Sequence, residues 1–301
     1  MANNLKILIS DALHPEAVAW LQNQKGVQLS IKPEIARPEL LQIIGEFEAI
    51  IVRSRTKVDA DVIAAGKNLK IIARAGTGLD NIDVKAAQQR QIQVINSPGA
   101  NANAVAELAL GLMLEMVRDL HTAFHAAKDK KKMNGYGSEL QGKALGILGC
   151  GQIGRRVAQL AQAFGMRTMA YDVIVTPAPG VEFVSLEKLY RESDLLTLHI
   201  PLIEQTRHLI DVNAVEQMKS GVFLINTARG EIVDEAAILS GLAQGKIKKY
   251  ASDFYAPESL LFKHPNALLT PHIGASTAEA QERAGLETVE KVFRALADTK
   301  S

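Results

Sequence analysis

The sequence predicts an α/β protein carrying two parallel sheets, and three observations lead there. Short, almost wholly apolar runs alternate with amphipathic stretches, the pattern of strands covered on both faces by helices. That rhythm stops near residue 98 and restarts at Ala144, so it describes two sheets rather than one. At 301 residues the chain also exceeds a typical single domain.

The first series predicts strands at Leu5–Ile9, Val27–Ile31, Ala49–Val52, Leu69–Ala73 and Ile92–Ile95. Between them, Pro15–Gln24, Pro38–Ile44, Asp59–Ala65 and Val84–Gln89 have the apolar spacing of surface helices. Ala102–Arg118 is apolar nearly all round, so it is expected to be buried on several sides, either within one subunit or at an interface. The polar stretch His121–Gly137 follows, and its lysine run Lys130–Lys132 reads as solvated charge. The second series predicts strands at Ala144–Gly149, Met166–Tyr171, Leu195–His199, Val222–Asn226, Ile247–Asp253 and Ala267–Leu269. A last helix, Ser276–Ala297, opens with Ser276-Thr277-Ala278-Glu279, the spacing of a capping box.

Composition narrows the function classes. Lys and Arg number 34 against 33 Asp and Glu, so no global attraction to nucleic acid or to an anionic membrane is expected. No apolar stretch approaches the roughly 20 residues of a membrane span. The first ten residues, broken by Lys6 and followed at once by Asp11, do not read as a signal peptide. With Cys150 the only cysteine, no internal disulfide can form, and a reducing, cytoplasmic setting is expected.

The strongest motif is Gly149-Cys150-Gly151-Gln152-Ile153-Gly154, directly after the apolar run Ala144–Leu148 and opening a helix. Gly149 permits a tight turn, Gly151 lets backbone approach a pyrophosphate, and Gly154 allows close packing of helix on strand. The helix start, with Gln152 and Ile153, turns its N–H groups toward phosphates. Asp172 ends the next strand, eighteen residues after Gly154, where a carboxylate accepts hydrogen bonds from ribose hydroxyls and repels a 2′-phosphate. The following Val173-Ile174-Val175 supplies no arginine for such a phosphate. The cofactor expected is therefore NAD rather than NADP. Cys150 reads as a small filler in the loop.

Three later segments place polar residues at strand ends, where open α/β sheets bind ligands. Thr227-Ala228-Arg229-Gly230 follows one strand, Asp253 through Glu258 another, and His272 lies just before Gly274 and the final helix. An Arg, a Glu and a His suit hydride transfer to a 2-oxo acid. A planar guanidinium grips the carboxylate, a histidine titrating near neutrality protonates the carbonyl oxygen, and a nearby carboxylate orients that histidine. Taken singly, each residue also fits a surface ion pair or a loop contact.

Together the segments closely resemble the D-isomer-specific 2-hydroxyacid dehydrogenase family, over nearly the whole chain. The resemblance rests on Arg74-Ala75-Gly76-Thr77-Gly78-Leu79-Asp80-Asn81-Ile82-Asp83, the glycine loop, Asn226–Gly230 and Pro271–Thr277. It implies a Rossmann nucleotide domain, residues 99–275, inserted into a flavodoxin-like substrate domain, residues 1–98 and 276–301. It further implies catalytic Arg229, Glu258 and His272, with Arg229 and His272 also touching substrate. Asp253, Thr77, His199, Pro201, Thr206, Thr227, Ala228 and Gly274 would lie near the cofactor, and the Gly76 N–H would meet the substrate carboxylate. One departure is that Pro257 precedes Glu258, whereas the family places proline after it. A homodimer is also implied.

Within the family the likeness is greatest to D-3-phosphoglycerate dehydrogenases. Arg53-Ser54-Arg55-Thr56 closes a strand with two cations and two hydroxyls, which suits a phosphate monoester, and the likeness implies that Arg53 faces it. The expected substrate is thus 3-phosphoglycerate and its 2-oxo partner. Alternatives are a glyoxylate or hydroxypyruvate reductase and an NAD-sensing co-repressor. Met133 stands near where relatives carry a tryptophan. The sequence stops at Ser301, so feedback inhibition by serine through a further C-terminal domain is not expected.

Overall fold

The computed structural model describes residues 5–132 and 135–298; Met133 lies outside them. The first stretch runs β1 (Leu5–Ile9), α1 (Pro15–Gln22), β2 (Val27–Ile31), α2 (Arg37–Ile43), β3 (Ala49–Val52), α3 (Ala60–Ala65), β4 (Ile71–Arg74), α4 (Val84–Gln89) and β5 (Gln93–Asn96). Helices α5 (Ala102–Arg118) and α6 (Leu120–Lys128) follow. Next come β6 (Ala144–Leu148), α7 (Gln152–Ala163), β7 (Arg167–Tyr171), β8 (Val181–Phe183), α8 (Leu186–Glu192) and β9 (Leu195–Leu198). The remainder is α9 (Val212–Gln217), β10 (Val222–Asn226), α10 (Glu235–Ala243), β11 (Ile247–Ser252), β12 (Ala267–Leu269) and α11 (Ala278–Asp298).

The chain forms two compact units. One comprises residues up to Asn101 and those from Ser276 onward; the other is Ala102–Ala275. In the first, a five-stranded parallel sheet has the order β2-β1-β3-β4-β5. Side chains alternate across it with the period of two that strands impose. Ile7, Ile9, Ile51 and Ile71 pack with Leu21 of α1 and Val289, Val292 and Leu296 of α11. Leu8, Ile50, Val52 and Ile72 pack on the other side with Leu40, Val62, Ile63 and Ala87 of α2, α3 and α4.

The second unit holds a seven-stranded parallel sheet, β12-β11-β10-β9-β6-β7-β8. Leu189, Val215, Ile238 and Leu242 of α8, α9 and α10 cover one face. Met113 and Met116 of α5 with Val157 and Ala161 of α7 cover the other. β8 is the strand the sequence did not predict: it is three residues long and carries Glu182 at its centre, so it lacks an apolar run. Within α5, Ala106, Ala109, Leu112, Met113, Met116 and Val117 are buried, while Leu108, Leu110 and Leu114 are only half-buried. Among the described residues no helix is long and apolar enough to cross a membrane.

Local chemistry sets the helix starts. Asp59, Asp83, Ser185, Asp211 and Asp234 each cap a helix by accepting a backbone N–H from its first turn. At α11 the cap is Thr277, whose Oγ1 accepts from Ala280 N at 3.2 Å. The cap therefore lies one residue later than the Ser276-x-x-Glu279 spacing suggested, because the threonine one step on makes the bond.

Helix α11 lies close on α1 at Gly285, where an added Cβ would stand 2.9 Å from the Ala17 Cβ. A larger side chain must separate the two helices. Gly285→Val is expected to cost about 1–3 kcal/mol, seen as a lower melting temperature in a thermal shift measurement. A melting point equal to wild type would show that this contact yields freely.

Candidate active site

In the second unit, β6 lies between β9 and β7, so the sheet winds outward in both directions from its first strand and a crevice opens at the strand ends there. The glycine loop occupies that place. Gly149 has φ +93°, and a Cβ on it would press into the His199 carbonyl 2.7 Å away, so only glycine fits. Gly154 is buried, and a Cβ there would collide with the Gly149 carbonyl oxygen. Gly151, by contrast, has nothing within 4 Å, leaving its backbone open. It is the first cap residue of α7, which has no side-chain cap; Gln152 is exposed and Ile153 half-buried. Asp172 follows β7, its carboxylate accepting from Cys150 N at 2.7 Å and Ile174 N at 3.1 Å. Burial raises the Cys150 thiol above its ordinary value, as suits a filler. This cradle fits a dinucleotide: tight turn, open helix start and fixed carboxylate all lie in one unit.

Beyond β9, His199 donates its backbone N–H to Leu148 O at 2.7 Å. Its ring lies between Thr197 Oγ1 at 2.9 Å and Thr227 Oγ1 at 3.3 Å. Burial pushes its pKa down to about 3, so the ring is neutral. Thr206 folds the next loop, donating to Pro201 O at 2.7 Å and accepting from Ile203 N at 2.8 Å.

The ends of β10, β11 and β12, neighbours in the sheet, bring Arg229, Phe254 and His272 together. Asn226, fully buried, receives Ala228 N at 3.0 Å and donates to Arg229 O at 2.8 Å, setting the turn that carries the arginine. Asp253 is 1% exposed, and its carboxylate collects Thr270 Oγ1 at 2.6 Å, Ile273 N at 2.8 Å and Gly274 N at 2.8 Å. The His272 N–H also donates to Asp253 O at 3.1 Å. Asp253 thus anchors the loop on which His272 stands with φ +54°. The imidazole lies 4.3 Å from the Phe254 ring centre, and the Arg229 guanidinium carbon 5.2 Å from the same ring. Glu258 is exposed on a turn beyond β11.

The first unit carries its own polar loop after β3. Asp11, 2% exposed, accepts Arg53 N at 2.7 Å, Thr56 N at 3.1 Å and Thr56 Oγ1 at 2.5 Å. Arg53 is half-buried and donates to Ala12 O at 3.2 Å; Ser54 is exposed. Arg55, half of its side chain exposed, donates to Ser10 O at 2.9 Å and to Ile35 O at 3.4 Å, with Asp11 3.4 Å away. Gly76 donates its N–H to Arg74 O at 2.9 Å, and Thr77 Oγ1 to Asn101 Oδ1 at 2.9 Å. Neither Asp11 nor Phe254 was singled out in the sequence. Asp11, just beyond an apolar strand, offered a faint signal of this kind.

Asp172 should decide cofactor choice. Asp172→Ser is expected to weaken NADH and narrow its advantage over NADPH by about tenfold, the loss of one charged hydrogen bond. The ratio of kcat/KM for the two cofactors measures it. Wild-type turnover as fast with NADPH as with NADH would remove that role.

The model of the D-isomer specific 2-hydroxyacid dehydrogenase NAD binding domain matches residues 110–274. A hydroxypyruvate reductase of Thermotoga maritima is 46% identical over 97% of this chain and 98% of that protein. A D-3-phosphoglycerate dehydrogenase of Archaeoglobus fulgidus is 41% identical over 96% of the chain, which spans only 56% of that longer protein. Among solved structures, a glyoxylate reductase from Paecilomyes thermophila superposes with a TM-score of 0.87 at 31% identity, covering 97% of this chain and 95% of that one. With the dinucleotide cradle and this likeness end to end, the chain belongs to the D-isomer specific 2-hydroxyacid dehydrogenase family and is an NAD-dependent oxidoreductase.

Proposed function

We propose that the chain reduces hydroxypyruvate, the three-carbon 2-oxo acid, to its D-2-hydroxy acid with NADH. The observation that carries this reading is the grouping of Arg229 and His272 about one ring at adjacent strand ends. Arg229 is the carboxylate binder, its planar fork matching two oxygens. His272 donates a proton to the C2 oxygen, and takes it back in the reverse direction. NAD, when bound, accepts or supplies the hydride at C2. Asp253 holds the backbone of the His272 loop, and Glu258 serves as the acid/base partner. The relative of matching length that is named hydroxypyruvate reductase supports the substrate.

A second reading, 3-phosphohydroxypyruvate, is favoured by Arg53. Against it, both loop arginines already donate to main-chain carbonyls, Arg53 to Ala12 and Arg55 to Ser10 and Ile35, so neither is wholly available to a phosphate. A panel of hydroxypyruvate, its 3-phosphate and glyoxylate, followed at the nicotinamide absorbance, separates the readings. The proposal fails if the 3-phosphate or glyoxylate has a higher kcat/KM than hydroxypyruvate.

His272→Ala should keep NADH binding, followed by cofactor fluorescence, while kcat falls about 10²–10⁴-fold. A variant turning over at the wild-type rate would take His272 out of the chemistry. Arg53→Ala should slow any reduction of the phosphorylated acid by roughly tenfold or more, one charge-assisted contact, and leave hydroxypyruvate nearly unchanged. Equal losses on both substrates would make Arg53 a structural residue.

A further inference from the structure

Residues 252 to 254 fix one another and the groups around them. Ser252, fully buried, accepts Phe254 N through its Oγ at 3.2 Å and donates to Phe254 O at 2.7 Å. The backbone of Phe254 is therefore tied at both ends to one hydroxyl. Asp253, between them, anchors the backbone of residues 272–274. Phe254 then presents its ring to two side chains from different loops. The imidazole of His272 lies against it with planes inclined at 47°, and the guanidinium of Arg229 approaches its face. Arg229 comes from the end of β10 and His272 from beyond β12.

We propose that Phe254 is a positioning residue that holds Arg229 and His272 in register for one substrate molecule. The inference rests on the functional reading above, in which those two residues bind the carboxylate and move the proton. Arginine has many rotamers, and a guanidinium held at an aromatic face loses most of them. An imidazole lying against the same ring is limited in how far it can rotate. With both held by one ring, the carboxylate grip and the proton donor keep a fixed separation, and reaction rates are sensitive to such geometry. Phe254 also lines a cavity of about 400 Å³ with Gly230, Tyr250 and Tyr255, so the ring is not enclosed by core on every side. A smaller or more flexible side chain there would remove a surface that touches both polar groups, while Arg229 keeps its bond to Ala228 O.

The test compares Phe254→Leu, Phe254→Met and Phe254→Tyr in the full chain, with hydroxypyruvate and NADH. Leu and Met should each lower kcat about tenfold and raise the substrate KM several-fold, as loss of alignment predicts. Tyr, which keeps the aromatic face, should restore both to within about twofold. The NADH dissociation constant, read by fluorescence, should not move in any of the three, because the cradle lies on other loops. The Met side chain is unbranched and fills irregular space more readily, so it reports even where Leu impairs folding. Leu and Met variants with wild-type kcat and KM overturn the proposal, as does a Tyr variant as damaged as Leu. His272→Ala and Arg229→Ala, run beside them, separate the two levels. If both are inactive while Leu and Met are unimpaired, only the positioning role falls. If both are fully active, the functional reading falls and this inference with it.

Discussion

Parallel winding is the constraint on which the site depends. When every strand of a sheet points the same way, each loop that follows a strand emerges at the same edge. In the larger unit that edge collects Gly149 after β6, Asp172 after β7, His199 after β9, Arg229 after β10 and Asp253 after β11. Residues scattered over more than a hundred positions become neighbours with no special folding of the loops. The central place of β6, with the chain departing to either side, adds the opening into which a dinucleotide fits.

Both units use the same device to hold their loops. A carboxylate removed from water is costly unless hydrogen bonds replace the lost hydration. Asp253 and Asp11 meet that condition by collecting several N–H and O–H donors each, all from a loop that carries a cation or a histidine. The charge strengthens each bond, and the loop is left with few conformations. Neither aspartate needs to touch a substrate to matter. Each supplies the rigidity that long side chains such as Arg53 lack, and that His272 needs in a left-handed backbone position.

Much of this was legible in the sequence because apolar strands and glycine spacing report backbone requirements directly. The pattern gave the order of eleven of the twelve strands, and Gly149, Gly154 and Asp172 lie where their spacing put them. β8 escaped because an edge strand of three residues needs no apolar run. The helix cap shifted from Ser276 to Thr277 because two hydroxyl residues in succession offer equal chemistry, and only geometry chooses between them. Side-chain direction was the harder matter. Arg53 and Arg55 look alike on paper, yet they reach different carbonyls, Arg53 that of Ala12 and Arg55 those of Ser10 and Ile35. Phe254 carries no polar group, so nothing in its type announced that two polar residues would gather on it.

The interleaving of the two units along the chain has a consequence for how the protein is made. One face of the five-stranded sheet is covered in part by Val289, Val292 and Leu296 of α11, which follow the whole of the second unit in sequence. A ribosome therefore delivers β1 to β5 long before their last covering helix. During that interval Ile7, Ile9, Ile51 and Ile71 have only α1 to shield them, and exposed apolar sheet invites association with other nascent chains. The larger unit, continuous from Ala102 to Ala275, suffers no such delay and can close first. Synthesis order and folding order are thus opposed: the segment made first is the one completed last.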